Sequence, residues 1–256
     1  MTTNASFIYY RDKSFGRDLN NKKISEILGL SKNRIDSDAE ICGIQYFKYF
    51  KIPGATHFLL LKTTYPGLII GAGYNHPAGE TEEDKSSDFQ LGFYFDHTTG
   101  MPVIPGSTVK GILKSVFPQK GEGEEIKREK LQYINGLLNS NTGKGILLNE
   151  DNWERFFDKG NIFFDAYISG IPSDGKVFAE DYITPHTKGP FKNPVPLRFL
   201  KIAPDVTFTF QFKLKDSCFE NNQKITCDEK LKLFKKILLD FGIGAKRNVG
   251  YGNLVE

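Results

Sequence analysis

Residues 238–256 read LLDFGIGAKRNVGYGNLVE. Just upstream, CDEKLKLFKKILLDF (227–241) puts Leu231, Phe234, Ile237, Leu238 and Phe241 on one side of a helix, because side chains three and four apart share a face. Glycines then stand at 242, 244, 250 and 252, four in eleven residues. Gly242 or Gly244 can end the helix in a left-handed conformation. Gly250 and Gly252 allow a tight turn into a short last strand, YGNLVE. The chain therefore closes as helix, glycine loop, strand, and this ending asks for a sheet upstream to receive the strand.

The rest of the chain supplies it. HFLLLKTTYPGLIIGAG (57–73) is apolar and reads as one or two buried strands. FQLGFYFDHTTGMPVIPG (89–106) reads as strand, turn and extended piece. STVKGILKSVF (107–117) is a helix with Val109, Ile112, Leu113 and Val116 on one face. NIFFDAYIS (161–169), KVFAEDYIT (176–184) and LRFLKIAPDVTFTFQFKL (197–214) read as strands, the last alternating in VTFTFQF. Strand, helix, strands, helix, strand matches the α+β ferredoxin-like (RRM-like) plan, one antiparallel sheet backed by two helices. Residues 1–56 read as a partly helical extension, with KISEILGL and a helix carrying Ile41, Ile44, Phe47 and Tyr49, closed by Pro53-Gly54. Residues 57–256 form the main domain, interrupted by a charged insertion, 118–158, with a helix at EEIKREKLQYINGLL.

Composition agrees with a folded, aromatic-cored protein. Of 256 residues 39% are hydrophobic, 25% charged and 13% aromatic, with 22 Phe, which favours a sheet with a phenylalanine core. A net charge of +3 excludes a global polycation, so a nucleic-acid site has to come from local clustering. Cys42, Cys218 and Cys227 are odd in number and lack CxxC spacing, which points neither to a disulfide framework nor to zinc. The start of the chain lacks the basic and apolar pattern of a signal peptide, and no apolar run reaches the ~20 residues of a membrane span. A cytoplasmic protein without membrane contact is expected.

Two glycine-rich basic corners stand out. In IPGSTVKG (104–111), Ser107 is expected to cap the helix, with Thr108 and Lys110 in the first turn and Lys114 one turn behind. A lysine at the positive end of a helix is locally unfavourable, and an anion there would satisfy both it and the free N–H groups. The plainer reading is a solvated lysine on an ordinary capped helix. This is not a Walker loop, which needs GK[ST]. In the second corner, Gly244, Lys246, Arg247 and Asn248 could hold a phosphate through close backbone approach and charged donors; a helix cap with solvated charges is the alternative. On the ferredoxin-like plan the two corners are expected to flank one groove. His57, His76, His97 and His186 form no metal-binding spacing and read as surface or hydrogen-bonded residues. Asp165 reads as a residue at a strand-end turn, rather than a base or metal ligand.

IPGSTVKGILKSVF and GIGAKRNVGYG resemble the helix start and C-terminal glycine loop of the RAMP superfamily of CRISPR proteins. With TTYPGLIIGAGYNHP, LGFYFDHTTGMPVIPGS, FFDAYIS and YITPHTKG…NPVPLRFLKIAP in order, the set resembles the sixth-subunit family of the type III-B Cmr effector complex. The resemblance covers about residues 57–256. It implies a non-catalytic, guide-RNA-binding subunit that caps the backbone near the guide 3′ end, in a hetero-oligomer with other RAMP subunits of the Cmr complex and with guide and target RNA as partners. The family's target-cleaving aspartate belongs to the main backbone subunit and has no equivalent among these motifs, so no catalytic residue is assigned, and no cofactor or metal is expected. By position, ITPHTKGPFKNPVPL near 183–197 would contribute to a thumb-like loop or to the groove wall, with Lys188 and Lys192 facing phosphates and His186 a further RNA-binding candidate. An endoribonuclease of the CRISPR-transcript-processing kind, with His97 as acid or base, is the alternative. A mononucleotide-binding domain using the helix N-terminus is a third.

Overall fold

A computed structural model describes residues 51–70, 94–96, 100–183, 197–219 and 223–256. In chain order the elements are β1 (His57–Thr63), β2 (Val103–Ile104), α1 (Gly106–Ser115), α2 (Glu124–Thr142), a 3-10 turn at Trp153–Phe157, β3 (Ile162–Phe163), β4 (Ala166–Gly170), β5 (Phe178–Ile183), β6 (Leu197–Ile202), β7 (Thr207–Lys213), β8 (Ser217–Cys218), β9 (Lys224–Ile225), α3 (Cys227–Phe241), a 3-10 turn at Arg247–Val249 and β10 (Leu254–Val255).

β1 and β7 are the centre of a six-stranded antiparallel sheet, ordered β10-β1-β7-β4-β2, with β3 also paired to β7. Their register runs from His57 opposite Phe212 to Lys62 opposite Thr207. Alternation sets the faces: Leu59, Leu61 and Thr63 point inward from β1, while Leu60 between them is exposed. From β7, Phe208, Phe210 and Phe212 are fully buried. Phe212 and Phe163 meet edge to face at 5.8 Å, and their ring centres lie 6.2 and 5.7 Å from that of Phe234 of α3. The phenylalanine content is spent on this sheet-to-helix layer.

The helices follow from their faces. α1 buries Val109, Ile112 and Leu113, as the spacing predicts. α3 occupies the expected residues, opened by a capping box in which Thr226 accepts from the Glu229 N–H and Glu229 from the Thr226 N–H. Its buried face is Lys230, Leu233, Phe234, Ile237 and Leu238, so it is turned relative to the sequence expectation: Leu231 is only half-buried and Phe241 is exposed. α2, in the insertion, packs against α3 through Tyr133, whose ring meets Phe241 and whose hydroxyl donates to Asp240 at 2.7 Å.

Two strand expectations need correction. NIFFDAYIS is two strands, β3 and β4, separated at Phe164-Asp165, where α1 begins against the chain. A single sheet was expected, but β5 and β6 form a two-stranded sheet of their own, joined to the main sheet's β7 by a turn at Asp205. β8 and β9 form a second small pair. Most of the 1–56 extension and residues 184–196 of the thumb-like loop lie outside the described residues.

Candidate nucleic-acid interface

The start of α1 is satisfied from within the protein. Pro105, at φ −57°, stands at the N-cap position, and its carbonyl accepts from the Thr108 and Val109 N–H groups. The Gly106 N–H donates to Asp165 Oδ1 at 2.7 Å. A carboxylate thus sits where an anion is favoured, and it comes from the break between β3 and β4. Gly106 permits this: a Cβ there would lie 2.0 Å from the Phe163 carbonyl oxygen. Ser107 is therefore not the N-cap. It is exposed in the first turn, with no cap bond from its side chain. The helix begins two residues earlier than the sequence suggested, so Lys110 lies beyond the first turn and its conflict with the dipole is relieved. Its ammonium sits 5.8 Å from the Phe163 ring centre, and that of Lys114 5.5 Å from Trp153. Both lysines lie over aromatic groups of the protein.

The C-terminal loop is wired into the core by its backbone. Gly242 donates to Leu238 O and closes α3. Ile243 N–H bonds Gly252 O at 2.9 Å, Ala245 N–H bonds Ile69 O at 2.8 Å and Gly252 N–H bonds Gly67 O at 2.8 Å. Gly244, at φ +93°, has no room for a side chain, since a Cβ would lie 2.2 Å from Ile69 O. Ile243 and Tyr251 point into the protein, Tyr251 against Phe199 with ring centres 6.1 Å apart. The glycines are used by chain crossings within the protein. What faces solvent is the 3-10 turn: Arg247, Asn248 and Val249 are exposed. Lys246 opens the turn in a left-handed conformation and is half-buried. Arg247 Nη1 donates to Phe241 O at 3.2 Å, an orphan carbonyl at the C-terminus of α3.

Behind the loop lies a charged cluster that sequence reasoning missed. Lys201 of β6 is 7% exposed and bonds Asp181 Oδ2 of β5 at 2.6 Å; Tyr251 donates to the same oxygen at 2.5 Å. Burial works to raise the Asp181 carboxyl, but the Lys201 and Tyr251 hydrogen bonds outweigh it and hold its pKa below the usual value. Burial, then the bond to Asp181, pushes the Tyr251 phenol well above its ordinary range, so it remains a donor. These residues lie 20 and 70 positions apart, and nothing in the local sequence connects them.

The two corners do not share a groove. α1 begins beside Phe163, whose partner Phe212 pairs with His57 at the first residue of β1. The glycine loop meets Gly67 and Ile69, just past Thr63, the last residue of β1. The seven residues of β1 separate them, roughly 20 Å at about 3.4 Å per residue. Of the other candidates, His97, His186, Lys188 and Lys192 lie outside the described residues. His57 bonds Thr56 Oγ1 at 2.7 Å and approaches Asp228 at 3.6 Å, as a hydrogen-bonded surface residue would. Among the described residues no three His, Cys, Asp or Glu side chains gather as a metal site, and no helix is long and apolar enough to cross a membrane.

The RAMP superfamily model matches residues 60–255. Among curated proteins, the chain is 30% identical over 168 residues to the CRISPR system CMR subunit Cmr6 of Saccharolobus solfataricus, covering 64% of this chain and 48% of that protein. It is 30% identical over 109 residues to Cmr6 of Pyrococcus furiosus, covering 37% and 30%. The chain thus spans less than half the length of each of these curated relatives. Among solved structures, it is similar to a chain of the type III-B Cmr-beta complex bound to cognate target RNA, with TM-score 0.48, 23% identity and coverage of 97% of this chain and 78% of that one. Cmr6 from Pyrococcus furiosus gives TM-score 0.44 and 22% identity over 78% and 98%.

Proposed function

The chain belongs to the RAMP superfamily, and from that premise we propose that it is a non-catalytic, guide-RNA-binding subunit of a type III-B Cmr effector complex. Its curated relatives are Cmr6 subunits, which supports the choice of complex. On this reading it works in the cytoplasm with other RAMP subunits, guide RNA and target RNA, near the guide 3′ end. The sheet order β10-β1-β7-β4, with α1 between β1 and β4 and α3 between β7 and β10, supports a ferredoxin-like core. The loop from β5 to β6, with His186 and Lys188, is proposed as the thumb.

The observation that carries the RNA contact is the turn at Arg247–Val249, fixed by its backbone and presenting Arg247 and Asn248 outward. A guanidinium has five N–H donors, and the bond from Arg247 to Phe241 O uses one nitrogen of the fork. The others suit a phosphate, which positions RNA without reading its sequence. Asp165 already holds the start of α1, so Ser107, Thr108, Lys110 and Lys114 take a lesser part than the loop in this proposal.

The test is single-stranded RNA binding across a salt series by wild type and the Lys246→Ala/Arg247→Ala variant. Each lost phosphate contact removes about 0.7 from the slope of log affinity against log salt, so the slope should flatten by roughly one to two units. An unchanged slope would return the turn to a helix cap with solvated charges.

A further inference from the structure

Among the large hydrophobic side chains of the described residues, Tyr65 is the most exposed, with 83% of its surface open. A single exposed aromatic is ordinary. The setting of this one is not, because its turn is pinned on both sides. Thr64 N–H bonds Asn253 O at 3.1 Å, Gly67 O accepts from Gly252 N–H, and Leu68 exchanges two backbone bonds with Ile202. Pro66 abuts Gly250, the residue closing the Arg247–Val249 turn: a Cβ on Gly250 would lie 3.5 Å from Pro66 Cδ. The exposed Tyr65 and the exposed Arg247 and Asn248 therefore belong to two adjacent turns, which meet at Pro66 and Gly250 and are each held by their backbone. Lys201 Nζ lies 6.0 Å from the Tyr65 ring centre and 5.6 Å from that of Tyr251. The bond to Asp181, whose carboxylate also accepts from Tyr251, fixes that ammonium, so the ring has a charged support of set position.

A fixed aromatic face beside cationic and amide donors is the pairing used for single-stranded nucleic acid: the ring takes a base, the donors take the adjoining phosphates. We propose that Tyr65 is a stacking platform for an unpaired nucleobase of an RNA strand whose flanking phosphate lies on the Arg247–Asn248 turn. The proposal rests on the RNA-binding reading above and adds a residue outside the glycine loop to it. Stacking accepts any base, because every base has a π face, so the platform would hold a strand of any sequence. The hydroxyl has no part in this. The ring does.

The experiment uses the full chain at low salt and a short single-stranded RNA carrying a fluorescent purine analogue at successive positions. Stacking quenches the analogue at one position in wild type. Tyr65→Ala should abolish that quenching and weaken binding about tenfold, with the salt slope unchanged. Tyr65→Phe and Tyr65→Trp should keep both properties. An abasic residue at the quenched position should make wild type and Tyr65→Ala bind alike. The platform is overturned if Tyr65→Ala binds and quenches as wild type does while Lys246→Ala/Arg247→Ala still flattens the salt slope; the loop reading then stands without it. It is also overturned if Tyr65→Phe loses as much as Tyr65→Ala, which would assign the effect to a hydroxyl hydrogen bond. Tyr65→Ala that keeps RNA affinity but no longer co-purifies with neighbouring subunits would make Tyr65 a protein contact instead. Failure of wild type to bind RNA at low salt would remove the RNA-binding reading itself.

Discussion

Asp165 Oδ1 lies 2.7 Å from the Gly106 N–H, at the end of α1 where the helix dipole favours negative charge. Removing this carboxylate should cost about 1–2 kcal/mol, the usual range for losing an N-terminal cap. Asp165→Ala is therefore expected to lower the unfolding midpoint, and Asp165→Asn less so, since the amide oxygen can still accept. Ser107→Ala should be nearly silent, within about 0.5 kcal/mol, because its side chain makes no cap bond. Equilibrium denaturation of the three variants checks the pair; a Ser107→Ala loss larger than that of Asp165→Ala would restore the serine cap. The sequence contained both residues in plain view. It could not join Gly106 to a carboxylate 59 positions away, and a Ser after Pro-Gly matches the local statistics of a cap.

α3 shows how far an element can be read from its own residues. Its bounds and its capping box are local matters, decided within four residues, and 227–241 was legible. Which face it buries was decided by its neighbours. Lys230 is the informative case: it is fully buried, its ammonium donates to Lys215 O at 2.5 Å, and Phe156 lies 5.7 Å away. A lysine reads as a solvent position in any periodicity, so the apolar stripe Leu231, Phe234, Ile237, Leu238 and Phe241 omits Lys230; its middle three residues are buried as expected, while Leu231 is half-buried and Phe241 exposed. Burial pushes the Lys230 pKa down to about 8 from 10.5. The sign follows: between those values the unfolded chain binds more protons than the folded one, so stability rises with pH there. The penalty for the buried charge is fully present below pH 8 and is relieved toward 10.5. Lys230→Met carries no such charge. Wild type should therefore gain stability relative to Lys230→Met as pH is raised through that window, measured as the difference in denaturation midpoints. A constant difference would mean that the ammonium is solvated.

For the whole molecule, the Asp181–Lys201–Tyr251 cluster joins the β5–β6 sheet to the C-terminal loop, and so sets the stem of the proposed thumb against the proposed RNA contact. Lys201→Met leaves the carboxylate without its cation and should cost about 1.5–3 kcal/mol, the range for a hydrogen bond to a charged group. Tyr251→Phe should cost less, because Asp181 keeps its lysine. The Asp181 pKa is depressed in the folded state, so its contribution is present above the unfolded value near 3.9 and is lost as pH falls through the lower folded value. The advantage of wild type over Lys201→Met should accordingly shrink below about pH 4. Midpoints that stay parallel in acid would show that the carboxylate is not ionised by this partner.

Periodicity and turn chemistry act over a few residues, and what they govern could be read from the sequence alone: the three main helices, the alternation of β7 and the glycine loop between α3 and β10; the family was legible only as a resemblance of motifs. Pairings across the chain are another matter. That Phe164-Asp165 breaks a strand, that β5 and β6 leave the main sheet, and that Gly244 lies against the Ile69 carbonyl all depend on which distant backbone arrives at that point. Contacts of that kind carry no mark in local composition, because either partner alone looks like an ordinary turn or strand residue. The same reason separates the two basic corners. Each was legible as a helix end, but their placement at opposite ends of β1 follows from the register of β1, β7 and β3, which only the folded chain decides.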